Sequence, residues 1–170
     1  MIINGKELLF NAPIKGMATK KLRFGGVSHG LAEAGYDIRI KQDVTFQRGF
    51  KEERRVIISD DSEAPSITQS GRFTIASAIE EFQMPTYLVG VVHDKSTWAR
   101  RGLSVFNTVI EPGWNGFLTL ELVYHGEESL HIPAGTGIAQ VLFHLLREKG
   151  DYADGKYQNQ TDAPVKAIMA

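Results

Sequence analysis

The sequence predicts an all-β fold built from many short strands. Segments rich in β-branched or alternating apolar residues recur along the chain, and Gly, Pro, Asp and Asn separate them. This spacing is typical of a sandwich or barrel of antiparallel strands. Helical periodicity is weak, and the two stretches that show it briefly, Asn4–Phe10 and Ala76–Phe82, are too short to build a helical layer.

Turn-forming residues flank each of the predicted strands. In chain order these strands are Tyr36–Ile40, Arg54–Ser59, Gly71–Ala76, Tyr87–Val92, Ser104–Ile110, Gly116–Tyr124, Leu130–Ile132 and Ile138–Leu145. The sixth has the clearest alternation, because Leu118, Leu120 and Leu122 fall on one face of it. Glu121 then lies on the opposite face, either in solvent or in a site.

Length and composition indicate one folded domain that spans residues 1–170. The chain is 42% hydrophobic and 23% charged, values typical of globular proteins. A domain of 170 residues buries enough surface to fold without disulfide staples. The polar segment 148–170 is expected to be a flexible C-terminal tail that becomes ordered when a ligand binds.

Charge and residue usage exclude several classes of function. The net charge is −1, so no excess of Lys and Arg favours nucleic acid or a membrane surface as a partner. The chain has no cysteine, which excludes disulfides and thiolate-bound zinc. No secretory pattern and no apolar run of about 18 residues is present, so a soluble, cytoplasmic protein is expected.

Two connections between predicted strands carry residues suited to chemistry. The segment His93–Gly102 combines cations, hydroxyls and backbone N–H groups that could wrap a phosphate, although a solvated basic loop is the alternative. In Val109–Gly116, the carboxylate of Glu111 and the ring of Trp114 flank a Pro-Gly turn. Such a pair suits a sugar, and the alternative is a turn whose Trp closes the core.

The order of motifs along the chain resembles that of the dCTP deaminases and, more distantly, of the dUTPases. The resemblance spans roughly residues 31–164. The matching motifs are Ala-Gly-Tyr-Asp (34–37), Lys-Ser-Thr-x-Ala-Arg-x-Gly-Leu (95–103), Ile-Glu-Pro-Gly-Trp-x-Gly (110–116), Thr-Leu-Glu-Leu (119–122), Ile-Pro-Ala-Gly-Thr-x-Ile-Ala-Gln-Val-x-Phe (132–143) and Lys-Tyr-Gln-Asn-Gln (156–160).

This resemblance implies a distorted β-barrel or jelly roll of the dUTPase-like type that assembles as a homotrimer, with active sites between subunits. It also implies that dCTP or a related pyrimidine deoxynucleoside triphosphate is the substrate. Mg²⁺ is expected as a cofactor held by the triphosphate, without direct protein ligands. The tail is expected to close over the bound nucleotide.

Three catalytic residues follow from the resemblance. Glu121 matches the general base of the deaminases, Arg100 positions Glu121 and polarises the cytosine, and Ser96 holds the attacking water or a phosphate oxygen. The expected substrate-binding residues are Lys95, Thr97, Lys156, Tyr157 and Gln160 for the triphosphate side and the closing tail, and Glu111, Trp114 and Gln140 for the sugar.

The chemistry expected is hydrolytic deamination of dCTP to dUTP and ammonia, a reaction at a cyclic amidine C–N bond. Zinc-class cytidine deaminases activate water with His and Cys ligands, which a chain without cysteine cannot supply. A carboxylate must then accept the proton from water. dUTPases usually have an apolar residue at the position of Glu121, so this glutamate favours a zinc-independent deaminase.

The loop Ser104–Glu111 leaves alternatives open, since it is slightly shorter than in typical dCTP deaminases and lacks their His-x-Thr-Ala segment. Its length resembles that of dUTPases, in which an aspartate at the position of Glu111 activates water. The alternatives are a dUTPase-like pyrophosphohydrolase, a bifunctional dUMP-forming deaminase and a non-enzymatic nucleotide-binding regulatory protein. Base specificity, feedback inhibition and the role of residues 1–30 stay open.

Overall fold

A computed structural model describes residues 1–49, 53–60 and 66–169. It confirms the all-β class. The elements in chain order are β1 (Ile2–Ile3), α1 (Gly5–Asn11), β2 (Lys21–Phe24), β3 (Val27–Leu31), β4 (Tyr36–Arg39), β5 (Asp43–Arg48), β6 (Arg54–Ser59), β7 (Ile67–Ser70), β8 (Phe73–Gln83), β9 (Leu88–Asp94), α2 (Ser96–Ala99), β10 (Leu103–Val105), β11 (Val109–Ile110), β12 (Asn115–Tyr124), β13 (Leu130–Ile132) and β14 (Gly137–Leu145). Among the described residues, no helix is long and apolar enough to cross a membrane.

The strands form three antiparallel sheets. The largest has seven strands in the order β11-β9-β14-β4-β3-β2, with β1 added along β14. The second has the order β10-β12-β8, and the third has the order β13-β5-β6-β7. No sheet closes on itself in the described part of the chain, so the distorted barrel or jelly roll stays a prediction.

All three sheets contribute to one hydrophobic core. Phe46 comes from the β13-β5-β6-β7 sheet, Phe82 and Leu120 come from the β10-β12-β8 sheet, and Ile38 and Phe143 come from the seven-stranded sheet. Each of these side chains is almost completely buried. Burial of such side chains is the main force that holds the sheets against one another.

An ion pair also connects two of the sheets. The Nε of Arg39 on β4 donates to Glu80 Oε1 on β8 at 2.8 Å, and the Arg39 backbone N–H donates to Glu80 Oε2 at 2.8 Å. Burial raises the pKa of Glu80, and the hydrogen bonds from Arg39 oppose that rise. Removing Arg39 would leave the buried Glu80 carboxylate without a partner, so the pair helps to maintain the relative position of β4 and β8.

The expectation of a helical segment at Ala76–Phe82 is wrong, because these residues lie within β8. Ala76, Ala78, Glu80 and Phe82 are all buried and follow one another at a spacing of two, which is the strand period. Pairing along most of β12 supplies the backbone hydrogen bonds, and this outweighs the local helical preference of Ala and Glu. The other short helical stretch, Asn4–Phe10, is confirmed as α1.

The expected strand Ser104–Ile110 is in fact two strands in different sheets. β10 pairs with β12, whereas β11 pairs with β9 of the seven-stranded sheet. The chain therefore crosses between sheets at residues 106–108, at a break that local composition does not reveal. The predicted strand Gly71–Ala76 is only the start of β8, which continues to Gln83. The remaining predicted strands are observed with small shifts of their ends, whereas β1, β2, β3, β5 and β7 were not predicted.

Replacing Leu120 by Ala tests the importance of the core. Leu120 is 1% exposed, and a Leu→Ala change at such a position costs about 2–5 kcal/mol of unfolding free energy. The control is Leu145→Ala, because Leu145 is 37% exposed and the loss there should be much smaller. Urea unfolding at one protein concentration measures both, and equal losses would contradict a core centred on β12.

Candidate active site

A pocket of about 800 Å³ opens over β12 and β8. Its volume lies in the range of small-molecule sites in proteins. The lining residues come from β7, β8, the connection between β10 and β12, β12 itself and the C-terminal segment: Ile67, Gln69, Phe73, Ile75, Thr108, Val109, Ile110, Glu111, Trp114, Leu118, Thr119, Glu121, Tyr152, Tyr157, Gln160, Val165, Lys166 and Ala167.

Glu121 is partly buried and faces this pocket. The alternation in β12 is confirmed around Glu121, since Leu120 and Leu122 are buried while Glu121 and Val123 are partly exposed. Leu118 is buried as well. The cross-strand neighbour of Glu121 is Ile75, which cannot stabilise a negative charge. Among the described residues, no other residue donates a hydrogen bond to this carboxylate or forms an ion pair with it. Burial raises the pKa of Glu121, so the carboxylate is a stronger base than a solvated glutamate.

A β-bulge shapes the pocket floor next to Glu121. The register with β8 shifts between Phe117 and Thr119. Leu118 and Thr119, although adjacent in sequence, therefore both line the pocket. Strict alternation predicts only one of them on that face, so the bulge places a hydroxyl beside an apolar side chain there.

The C-terminal segment forms one wall of the pocket by pairing with the start of β12. β10 pairs only with residues 122–124 of β12, so the edge at residues 116–117 is available to another strand. Gln160 forms a parallel bridge with Gly116, and the N–H of Phe117 donates to Gln160 O at 3.1 Å. Gly116 has φ 130°, and a Cβ there would lie 2.6 Å from the Gln160 nitrogen. A glycine is therefore required for this close approach.

Side chains add further contacts between the tail and β12. The Thr119 hydroxyl donates to Gln160 Oε1 at 3.2 Å and accepts from the Val165 N–H at 3.0 Å. The Trp114 indole N–H donates to Tyr157 O at 2.6 Å. The segment 148–169 thus lies on its own chain's pocket, and the dependence of its order on a ligand stays a prediction.

The structure brings some of the expected site residues together at this pocket. They are Glu111, Trp114, Glu121, Tyr157 and Gln160. Trp114 is 5% exposed and packs against the Phe82 ring at 6.0 Å, so it both closes the core and borders the pocket. Glu111 is exposed at the pocket rim.

A second group of expected residues lies on or beside α2 and does not line this pocket. Ser96, Thr97 and Arg100 are exposed. The Lys95 ammonium is engaged within the fold, because it pairs with Asp37 and donates to Ser28 Oγ at 2.9 Å. A phosphate contact by Lys95 would therefore compete with Asp37.

Gln140 and Lys156 also lie outside the pocket lining. Gln140 is opposite both Asp37 and His93 in the seven-stranded sheet, so its side chain shares their face, near Lys95. Lys156 is exposed, lies 5.2 Å from the centre of the Tyr157 ring and donates to a tail carbonyl at 2.9 Å. One chain thus carries two separate groups of candidate residues.

Several pocket residues were not predicted from the sequence. Thr119 could have been found, because it shares the strand face of Glu121. Phe73 and Ile75 could not, since their position depends on the pairing of β8 with β12. No local signal marks Lys166 in the tail. Within the described ranges, no group of three or more His, Asp or Glu side chains is placed to hold a metal ion.

A family model described as dCTP deaminase-like matches residues 14–146 of the chain. Curated relatives named dCTP deaminase are similar over most of the sequence. The protein from Campylobacter jejuni is 38% identical over 159 residues, covering 85% of this chain and 84% of that protein. The Herpetosiphon aurantiacus protein is 35% identical over 162 residues (87% and 86%), and the Acidobacterium capsulatum protein is 32% identical over 169 residues (91% of each).

Solved dUTPase structures share the fold. EIAV dUTPase superposes with a TM-score of 0.50 at 16% identity, covering 86% of this chain and 95% of that one. The dUTPase of Staphylococcus bacteriophage 80alpha has a TM-score of 0.52 at 14% identity, covering 81% and 91%. At these identities the similarity concerns the fold alone.

Replacing Thr119 by Val tests the attachment of the tail. The change removes both hydroxyl contacts at nearly constant side-chain volume. The free energy that holds the tail on β12 should fall by about 1 kcal/mol, which corresponds to roughly fivefold faster amide exchange in the tail. Hydrogen–deuterium exchange of residues 157–169 measures this. The control is Thr74→Val, because the buried Thr74 hydroxyl has no hydrogen-bond partner within the described residues. Unchanged exchange in the Thr119 variant would show that the tail is held by other contacts.

Proposed function

The chain belongs to the dCTP deaminase-like family, and we propose that it catalyses the zinc-independent hydrolytic deamination of dCTP to dUTP and ammonia. The observation that carries the proposal is the Glu121 carboxylate. It faces a pocket of nucleotide size, has no ion-pair partner among the described residues, and burial raises its pKa. These are the properties that a general base needs.

In the proposed reaction, ionised Glu121 accepts a proton from water while the water oxygen forms a bond to C4 of cytosine and the C4=N3 π electrons move to N3. The tetrahedral adduct then receives a proton on its amino nitrogen from Glu121, and the electron pair on N3 re-forms the C4=N3 bond as the C–N bond breaks to release ammonia. Transfer of the hydroxyl proton to N3 gives the uracil base. One water is consumed and the carboxylate is regenerated. The raised pKa of Glu121 favours acceptance of the first proton without preventing its return.

The other pocket residues suit a deoxynucleoside triphosphate. We assign Trp114 to packing against the deoxyribose and Glu111 to its 3′-hydroxyl. Tyr157 and Gln160 come from the tail and would contact the triphosphate, and Lys156 would join them after rotation of its exposed side chain. A tail that closes over the nucleotide would also exclude water from the reacting base.

Mg²⁺ is proposed to bind through the triphosphate. Of the residues that line the pocket, only Glu111 and Glu121 carry carboxylates, and Mg²⁺ needs six oxygen ligands. The phosphate oxygens and water would therefore supply most of the coordination. The ion would neutralise phosphate charge.

We further propose that the active enzyme is a homotrimer whose sites lie between subunits. The supporting observation is the separation of the two groups of candidate residues. Ser96, Thr97 and Arg100 are exposed on α2 and do not line the pocket that contains Glu121 in the same chain. A neighbouring subunit would bring its α2 group to this pocket, where Arg100 would orient Glu121 and Ser96 the attacking water.

A second candidate function follows from Glu111, which lines the same pocket as Glu121. Activation of water by Glu111 for attack on the α-phosphate would release pyrophosphate. The chain would then be a dUTPase-like or a bifunctional, dUMP-forming enzyme. We favour deamination because Glu121 is the more buried of the two carboxylates.

Glu121→Gln is expected to reduce ammonia release from dCTP by about 10²–10⁴-fold, because the amide cannot accept the proton. Binding of dCTP, measured by calorimetry, should persist. The control is Glu81→Gln, since Glu81 pairs with Lys15 outside the pocket and should leave turnover unchanged.

The same assay should follow pyrophosphate as well as ammonia. Retained ammonia release in the Glu121 variant would exclude the proposed base. Pyrophosphate from dUTP without ammonia from dCTP would assign the chemistry to Glu111, and both products from dCTP would indicate the bifunctional enzyme. A protein that binds dCTP without forming any product would be a binding protein.

Complementation tests the shared site. Arg100→Ala and Glu121→Gln subunits should each be inactive alone. When the two variants are mixed in equal amounts and exchange subunits at random, roughly a quarter of the inter-subunit sites would combine an intact Arg100 with an intact Glu121. Recovery of about that fraction of ammonia release is expected. A mixture that stays inactive after verified exchange of subunits would place both residues in the site of one chain.

A further inference from the structure

Glu121 lies between two apolar side chains on the β10-β12-β8 sheet. On one side its register partner is Ile75 of β8. On the other side the register of β10 with β12 continues beyond Val105, because the Phe106 N–H donates to Glu121 O at 3.0 Å. Phe106 is thus directly opposite Glu121. Such neighbours point to the same face of a sheet, so the carboxylate is flanked by a ring and an aliphatic side chain.

A second ring extends this apolar surface across β12. Phe73 of β8 is the partner of Val123, two positions from Glu121 on the same face. The rings of Phe73 and Phe106 are 6.3 Å apart. Their strands lie on opposite sides of β12, about 9.6 Å apart at the usual strand spacing. The rings therefore lean toward each other over the stretch of β12 between Glu121 and Val123.

Within one chain, burial rather than a neighbouring charge changes the acidity of Glu121. In the proposed trimer, Arg100 of a neighbouring subunit would add a positive charge that lowers the pKa of Glu121 in the wild-type protein and in the variants alike. The titratable groups that face the pocket from the surrounding segments are Glu111, Tyr152, Tyr157 and Lys166. None of them perturbs the pKa of Glu121, which is raised by burial and lowered only by its own backbone N–H. The apolar neighbours are the source of this burial on the sheet side.

We propose that Phe106 is a positioning residue. Together with Phe73 and Ile75, it keeps water from one side of the Glu121 carboxylate and directs this carboxylate into the pocket. This inference rests on the proposed function, since it assigns these side chains a part in the action of Glu121 as a base. It also gives a role to the short 104–111 loop, which places an aromatic ring beside the base.

The pH dependence follows from this arrangement. A general base works when ionised, so turnover falls as the pH decreases through the pKa of Glu121. A polar side chain in place of Phe106 would admit water and lower that pKa. The acidic limb of the kcat/KM profile then moves to lower pH, and the plateau rate falls because the carboxylate is a weaker base.

Phe106→Asn is the test variant, and Phe106→Leu is the conservative one that should retain the wild-type profile. The control is Phe24→Asn. Phe24 is 50% exposed, close to the 51% of Phe106, but it lies on β2 in a different sheet from Glu121. If the first variant does not fold, Phe73→Asn serves instead, since Phe73 is 47% exposed and belongs to the same ring pair.

Two measurements are made on each variant. The first is the pH profile of ammonia release, and the second is a ¹³C NMR titration of the Glu121 carboxyl group, assigned with Glu121→Gln. We expect the midpoint of both to move to lower pH in Phe106→Asn, with Phe106→Leu and Phe24→Asn unchanged. A loss of rate with unmoved midpoints would overturn the inference and leave Phe106 a purely structural residue.

The NMR titration separates this inference from the proposed function. If wild-type protein releases no ammonia but the Glu121 titration moves in Phe106→Asn, the proposed function fails and the apolar environment of Glu121 is upheld. If Glu121→Gln abolishes ammonia release while Phe106→Asn changes neither midpoint, the proposed function is upheld and the role of Phe106 is rejected.

Discussion

The candidate site depends on the pairing of two long strands, β8 and β12. β8 has 11 residues and β12 has 10, and their register brings Ile75 next to Glu121. A slip of one residue would exchange the two faces of β12, moving Glu121 into the core and Leu120 and Leu122 into the pocket. The buried leucines make such a slip costly. The energy that folds the sheet therefore also holds the carboxylate in the pocket.

The tail completes a surface that β8 and β12 leave open. Because β10 covers only one end of β12, backbone groups near Gly116 are free to pair with another segment, and Gln160 uses them. Thr119 then secures the tail from the β-bulge. A wall held by a few hydrogen bonds can open at little cost, unlike a wall built from core side chains. Opening of this wall to the proposed nucleotide therefore does not require the sheet to unfold.

The two carboxylates at the pocket differ in environment rather than in type. Glu121 is partly buried between apolar neighbours, whereas Glu111 is exposed at the rim. Water screens an exposed carboxylate, while burial makes a carboxylate a stronger base. A fold shared with dUTPases at 14–16% identity does not choose between deamination and phosphate chemistry. The proposed deamination rests on Glu121, whose pKa is raised by burial.

The sequence by itself determined the all-β class, the family resemblance and the opposition of Glu121 to a leucine face, because alternation and ordered motifs are local properties of the chain. Only the tertiary structure decided that Ala76–Phe82 is a strand and that Phe106 lies opposite Glu121. It also decided that Lys95 pairs with Asp37, 58 positions away. Each of these depends on contacts between distant segments, whose energies outweigh local preference and leave no trace in a short window of sequence.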